Sequence, residues 1–372
     1  MKMNNLFLML IFFILFSGCS KNTGDFSDFE FIENNKEITI TDYKGSTQEL
    51  VIPKKINNRP VTSLGERAFF RKGLTSVTIP NSVKHIGYAA FTENRLASLI
   101  LPKSVTQIED IAFSQNRLTS VTIPNSVTLI GFGAFTGNQI ASLIIPNSVT
   151  QIGALAFAQN RLTDVTLSNS LSCIEEKTFF GNQITSITIP KSVTSIGKNA
   201  FSVNQLTSAI LSNSLTYIED SAFMDNQLTS VTIPDSVTYI GDFAFYGNQL
   251  TSVVIPNSVT YIGKGVFADN KLASVTIPTS LSSINMGVFY GNQLTSVTIP
   301  DHVSLIGLDA FTGNQLSSIT IGATVSLNEQ PADEQAANFS GTAFDNEFDN
   351  FYNDNGKKAG VYEYSNNRWS IR

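Results

Sequence analysis

Charge and reactive side chains are what this chain has least of. Only 15% of its 372 residues are Asp, Glu, Lys or Arg, against roughly 25% in an average soluble domain. The net charge is −6, and the Lys and Arg residues form no stripe. A protein that neutralises phosphates needs clustered cations, so nucleic acid is not an expected partner. Two histidines, two cysteines and one tryptophan complete the list of scarcities. With only Cys19 and Cys173, a disulfide framework is excluded, so stability must come from packing. No glycine loop followed by lysine is present to cradle a phosphate, and no cofactor or metal is expected. The longest apolar run, Leu6 to Phe16, falls short of the ~20 residues that span a bilayer.

That run has the length of a secretory h-region, and Lys2 precedes it. It ends in Phe16-Ser17-Gly18-Cys19, which resembles the lipobox of bacterial lipoproteins, although that pattern usually has Leu where Phe16 stands. The resemblance implies a signal peptide over residues 1–18, acylation of Cys19, and a lipid anchor in the cell envelope, at the outer membrane or cell surface. Two or three acyl chains would hold the protein stably, whereas one would not. Residues 19–28 read as a polar tether.

The remainder is dominated by self-similarity at a fixed period, which outranks any domain count based on length. The segment Leu118-Thr-Ser-Val-Thr-Ile-Pro124 recurs every 22 residues, with eleven full repeats starting at Leu74 and a twelfth strand at Leu316. Three columns never vary: Ile86 to Ile306, Phe91 to Phe311, and Asn94 to Asn314. In Ser120-Val121-Thr122-Ile123 the apolar residues alternate with hydroxyls, the period of a half-buried strand. Pro124 ends it, having no N–H for a ladder. Val127 to Gly131 is a second short extended piece. Ala134-Phe135 is expected to make a tight or 3₁₀ turn that inserts the ring inward, and Asn138 to close the coil. One such unit cannot bury its own apolar side, but stacked units bury a continuous core. The fold class is therefore an all-β-dominated solenoid of tandem 22-residue leucine-rich repeats over residues 74–321. Residues 29–73 would be an irregular first coil and N-terminal cap, and residues 322–372 a C-terminal cap. Within the latter, Asn353-Asp-Asn-Gly356 signals a turn before the alternating Val361-Tyr-Glu-Tyr364.

The unit Leu-Thr-Ser-Val-Thr-Ile-Pro-Asn-Ser-Val-Thr-x-Ile-Gly-x-x-Ala-Phe-x-x-Asn-Gln resembles the repeat of BspA-like leucine-rich-repeat surface proteins. In that family the column of Asn94 to Asn314 is often Cys, and the repeat is commonly one residue longer. The resemblance implies a bacterial surface protein that binds host matrix proteins or neighbouring bacteria.

Stacking makes convergence of catalytic groups testable, because coils sit ~4.8 Å apart. His85 and His302 lie in the first and eleventh repeats, roughly 48 Å apart, and Cys173 is roughly 19 Å from His85. A Cys–His or Ser–His dyad is excluded, and the chain is not expected to be an enzyme. A carbohydrate-active or metal-dependent hydrolase using Glu219-Asp220 and Asp242, with Glu175-Glu176 two coils earlier, is the alternative from another class. An open flank has no enclosure to raise a carboxyl pKa, which favours a solvated acidic face. Asp345, Glu347, Asp349 and Asp354 could be read as calcium ligands, but the spacing lacks the glycine and terminal glutamate of a known loop.

Two surface columns remain. The outward strand row, with Thr78, Thr122, Thr188, Thr232, Thr276 and Thr298, is a hydroxyl surface interrupted by Ile100, Ile144, Ile210 and Val254. It could bind proteins or glycans through wet hydrogen bonds. It could equally be threonine suited to an exposed strand; an ice-binding role is disfavoured by the apolar interruptions. The second column, one residue before the invariant Ile, contains Tyr217, Tyr239 and Tyr261 in succession. Tyrosine is enriched in binding hot spots, and stacked tyrosines also stabilise sheets. The expected function is a surface-anchored scaffold for adhesion or protein–protein interaction, with the tyrosine ladder as candidate partner site. An envelope-internal assembly module is the alternative within the same class.

Overall fold

A computed structural model describes residues 26–34, 36–328, 342–345 and 347–372. The leader, Cys19 and most of the tether lie outside them. The repeats wind into a β-solenoid of about 13 turns, each coil one repeat. Equivalent residues pair in parallel at an offset of 22, as in Ser142↔Asp164, Leu143↔Val165 and Ile144↔Thr166. The alternation read in the sequence is realised: in Ser230–Thr232 the valine is buried and both hydroxyl residues face solvent. This strand row is hydrogen-bonded mostly in pairs of coils, such as Ser186–Thr188 with Ser208–Ile210 and Ser230–Thr232 with Ser252–Val254. The second row forms longer sheets, one of five strands running from Cys173–Ile174 to Tyr261–Ile262.

The invariant columns fill the interior. The phenylalanines from Phe91 to Phe311 are fully buried and stack face to face, with centroids 5.4 Å apart for Phe91–Phe113 and 5.5 Å for Phe201–Phe223. Each Asn side chain ties its coil to the one before. Asn204 Oδ1 accepts from Ile184 N at 3.1 Å, and its Nδ2 donates to the carbonyls of Phe179 (3.0 Å) and Phe201 (3.1 Å). The Asn column thus satisfies buried backbone groups that no strand ladder reaches.

The turn that carries each phenylalanine takes the tight form of the two expected, not the 3₁₀ one. Residues two before and two after the ring are left-handed: Asn199 (φ 55) and Val203 (φ 56) bracket Phe201. This conformation aims alternate N–H groups at the next coil, Asn199 to Asp220 O, Phe201 to Ala222 O and Val203 to Met224 O, at 2.9, 2.9 and 3.0 Å. A 3₁₀ turn would have used those donors internally. Coils approach so closely at the neighbouring glycine that a Cβ on Gly153 would lie 2.5 Å from Phe132 N.

Both ends are closed. Strand β1 (Phe29–Asn34) pairs antiparallel with β2 (Glu37–Tyr43). β3 (Glu49–Val51) joins the outward row by pairing with Ser76–Thr78. β4 (Lys55–Ile56) and β5 (Arg59–Leu64) form a hairpin around the left-handed Asn57 and Asn58, and β5 pairs with β2. Phe26, inside the stretch read as tether, is partly buried against this core. At the other end Phe344 continues the ring stack 5.0 Å from Phe311. A short helix, α1 (Phe348–Asp354), follows, where the sequence reading placed only a turn. Its Phe348 and Tyr352, four apart and both fully buried, define one helical face. The turn falls at its end, with Gly356 left-handed. The hairpin of Gly360–Ser365 and Arg368–Ile371 then covers Ser318–Ile321. Open solenoid ends would recruit other strands, and these caps prevent it.

Candidate functional site

The tyrosine ladder is built by the second strand row. Tyr217, Tyr239 and Tyr261 are in direct parallel register, each followed by a buried isoleucine that fixes the outward direction of the ring. Tyr217 is 51% and Tyr261 41% exposed, while Tyr239 between them is half-buried. Tyr239 and Tyr261 stack with centroids 4.9 Å apart and planes 6° from parallel. Tyr217 tilts 47° from Tyr239 at 6.2 Å. The two stacked rings have phenols pushed above the ordinary tyrosine range, by burial first and then by nearby carboxylates, Asp220 and Asp242 for Tyr239 and chiefly Asp242 for Tyr261. Both are therefore neutral hydroxyls at physiological pH, each with an apolar face and a polar tip.

The carboxylates beside the ladder are occupied. Asp220 Oδ1 accepts from Asp242 N at 3.1 Å, and Lys198 Nζ lies 2.9 Å from Asp220 Oδ2. Asp242 Oδ1 accepts from Lys264 N at 2.8 Å. Asp110 does the same with Phe132 N at 2.7 Å. These side chains bridge one coil to the next, each Oδ1 accepting from backbone and Asp220 Oδ2 pairing with Lys198, rather than converging on a shared substrate position. The acidic alternative gains nothing from this geometry.

The cap carboxylates do not gather either. Asp345 Oδ2 accepts from Gly313 N (2.9 Å) and Asn314 N (3.2 Å). Asp349 is buried against Asn328 Nδ2 and Ala343 N at 2.8 and 2.6 Å, and burial raises its pKa. Among the described residues no group of three or more His, Cys, Asp or Glu is arranged to hold a metal. Cys173, in the same column as His85, donates its thiol to Glu175 Oε1 at 3.1 Å. Burial, and then Glu175, push that thiol up, the opposite of an activated nucleophile. It borders an open cleft of about 450 Å³ with Asp110, Phe132 and Glu175, formed where the second strand row is interrupted between Gln151–Ile152 and Cys173–Ile174. Sequence reasoning could not see this cleft, because the repeat period continues unbroken through it.

The outward strand row shows the second candidate surface. Ile100, Ile144, Ile210 and Val254 are 84%, 71%, 61% and 78% exposed, among hydroxyls that are also exposed.

A leucine-rich-repeat protein from Bacteroides ovatus has the same fold, with a TM-score of 0.68 at 24% identity over 80% of this chain and 87% of that one. A leucine-rich cell surface protein from Faecalibacterium prausnitzii matches at 0.52 and 26% identity over 80% and 88%. The pneumococcal vaccine antigen PcpA matches at 0.55 and 21% over 80% and 81%. No curated protein matches. The family model for the BspA type leucine rich repeat region matches residues 15–141, 128–248 and 218–330. Leucine-rich-repeat scaffolds of this kind are typical of bacterial surface proteins and are not in general enzymes. With its 22-residue coils, its buried Phe and Asn columns and a match across most of its length, the chain belongs to the BspA-type leucine-rich-repeat family.

Proposed function

We propose that this protein is a lipid-anchored cell-surface scaffold that binds macromolecular partners through the flank carrying Tyr217, Tyr239 and Tyr261, without catalysis. The observation that carries the reading is the ladder itself. Three rings stand in consecutive register on an open flank, in a column that other coils fill with His85, Gln107, Ser195 or Leu305. Coils with the same core do without them, so the fold does not require them. Rings of this kind bury apolar area against a partner and still offer a hydroxyl. The partners are proteins or glycans of a host matrix or of neighbouring bacteria. Family membership and the cell-surface description of the Faecalibacterium relative support the location, and Ser17-Gly18-Cys19 supports the anchor.

The test is a variant combining Tyr217→Ser, Tyr239→Ser and Tyr261→Ser, since serine already occupies this column at Ser195 and Ser283. Loss of one hot-spot ring typically costs more than ~1 kcal/mol, so attachment to immobilised matrix proteins or bacterial cells should fall at least about tenfold. An unchanged melting temperature should accompany it. Undiminished attachment with a lower melting temperature would make the ladder a structural feature and overturn the proposal.

A further inference from the structure

We propose that the turn flank around Gly247 takes an arginine side chain of a basic protein partner, held by Asp225, Asp269 and the ring of Tyr246. These residues lie in other columns than the tyrosine ladder, and the inference does not rest on that ladder's role.

The protein itself shows how this flank holds a guanidinium. Near the N-terminal cap Arg71 lies over the Phe70 ring, 4.9 Å from its centroid. Its Nε and Nη2 donate to the two carboxylate oxygens of Glu93, one coil on, at 2.7 and 2.9 Å. Ring, cation and acid thus occupy three fixed positions: the residue after the stacked Phe, the next residue, and that residue's equivalent in the following coil. Farther along the solenoid the same three positions read Tyr246, Gly247 and Asp269. The backbone matches as well. Arg71 and Glu93 have φ of 57 and 56, and Gly247 and Asp269 have 64 and 51. Arg71 N and Gly247 N each donate to a carbonyl of the next coil, Thr92 O and Ala268 O, both at 3.1 Å. The ring and the carboxylate are therefore in register, and glycine stands in the place of the cation.

That place is surrounded by acceptors. Tyr246 donates its hydroxyl to Asp269, and Phe243 packs edge-on against the Tyr246 ring at 5.9 Å. From the preceding coil Asp225 lies over Gly247, its Oδ1 2.6 Å from the point that a Cβ would occupy. Among the described residues neither Asp225 nor Asp269 has an ion-pair partner. Lys271, two residues after Asp269, is turned to Gln249 Oε1 at 3.2 Å. Two carboxylates thus stand without a cation beside an aromatic face. A guanidinium suits this place better than an ammonium, because its plane stacks on the ring while its N–H fork reaches the carboxylates. The other coils with a ring in this column and glycine after it lack the acid. Phe180-Gly181 and Tyr290-Gly291 have Val203 and Gly313 at the third position. One such site per chain is expected.

The probe is a labelled hexa-arginine peptide, titrated by fluorescence anisotropy onto the protein carrying Cys19→Ala, which keeps every described residue. Saturable binding is expected. Asp225→Asn and Asp269→Asn should each raise Kd about fivefold or more, on the scale of a charge-assisted hydrogen bond. Asp164→Asn and Asp301→Asn remove the same charge from other faces and should change Kd less than about twofold. Tyr246→Leu should weaken hexa-arginine about threefold or more, and hexa-lysine less. Gly247→Arg supplies the guanidinium from within, as Arg71 does, and should abolish peptide binding. Gly137→Arg adds the same charge in the same column, where Thr136 and Gln159 offer neither ring nor acid, and should leave binding in place. No binding at about 1 mM protein, or equal losses from all four Asp→Asn variants, overturns the site. Equal losses from both Gly→Arg variants, or none from Gly247→Arg, overturn it as well. Equal weakening of the two peptides by Tyr246→Leu overturns the assignment to arginine.

Discussion

Asn204 donates its side-chain amide to the carbonyl of Phe179, one coil earlier, at 3.0 Å, while its Oδ1 receives the N–H of Ile184 at 3.1 Å. Both backbone groups are buried where strand pairing has ended. Asn204→Ala leaves them without partners, at about 1–3 kcal/mol for each unsatisfied group. A loss of roughly 2–4 kcal/mol by chemical denaturation is expected. A loss under about 0.5 kcal/mol would mean that the ladder is not what holds this corner.

Val203 occupies a left-handed position (φ 56) that other coils give to Gly137, Gly181 or Gly247, and its side chain is exposed. Left-handed backbone costs an L-residue about 1–2 kcal/mol, partly offset by the greater freedom of glycine in the unfolded chain. Val203→Gly should therefore stabilise by roughly 0.5–1 kcal/mol. A melting temperature that falls would contradict the assigned conformation.

Gly153→Ala should act in the opposite direction. Its Cβ would meet Phe132 N at 2.5 Å and the Gly131 carbonyl carbon at 2.8 Å, so two coils must separate. A destabilisation of about 1–3 kcal/mol is expected, whereas Gly73→Ala, with nothing within 4 Å but a left-handed φ of 70°, tests conformation alone. Equal effects at both positions would show that coil spacing is not limiting.

Tyr246 has its phenol pushed up to about 12, mainly by its hydrogen bond to Asp269 and then by burial. A pKa raised on folding adds stability that is complete below the unfolded value near 10 and is lost as pH rises through the folded value. Between about pH 10 and 12 the protein should lose stability steeply, and Tyr246→Phe should flatten that slope. Identical alkaline profiles for both proteins would remove Tyr246 from the account.

Cys19→Ala should move the protein from membranes to the soluble fraction, as the proposed anchor requires. Membrane partitioning that ignores the substitution would end the lipoprotein reading.

The 22-residue period, the strand alternation and the three invariant columns were legible in the residues, because each repeat must bury the same side against the next and so repeats its chemistry. The tyrosine register followed from the same arithmetic: a parallel stack turns an offset of 22 into contact. What the period could not carry was anything that depends on backbone geometry rather than residue type. The left-handed residues around each Phe are Asn199 and Val203 in one coil and Gly133 and Gly137 in another, so no composition marks them, and only the inter-coil hydrogen bonds that they aim reveal them. Helix α1 was hidden because seven residues show one i, i+4 pair and no more. The occupation of Asp220 and Asp242 by neighbouring N–H groups was decided by the distance between coils, which brings a carboxylate level with the next coil's backbone. Residue order settled the solenoid and its columns, while tertiary contact settled which of its polar groups remain free for a partner, since a side chain's availability depends on what the adjacent coil places within ~3 Å of it.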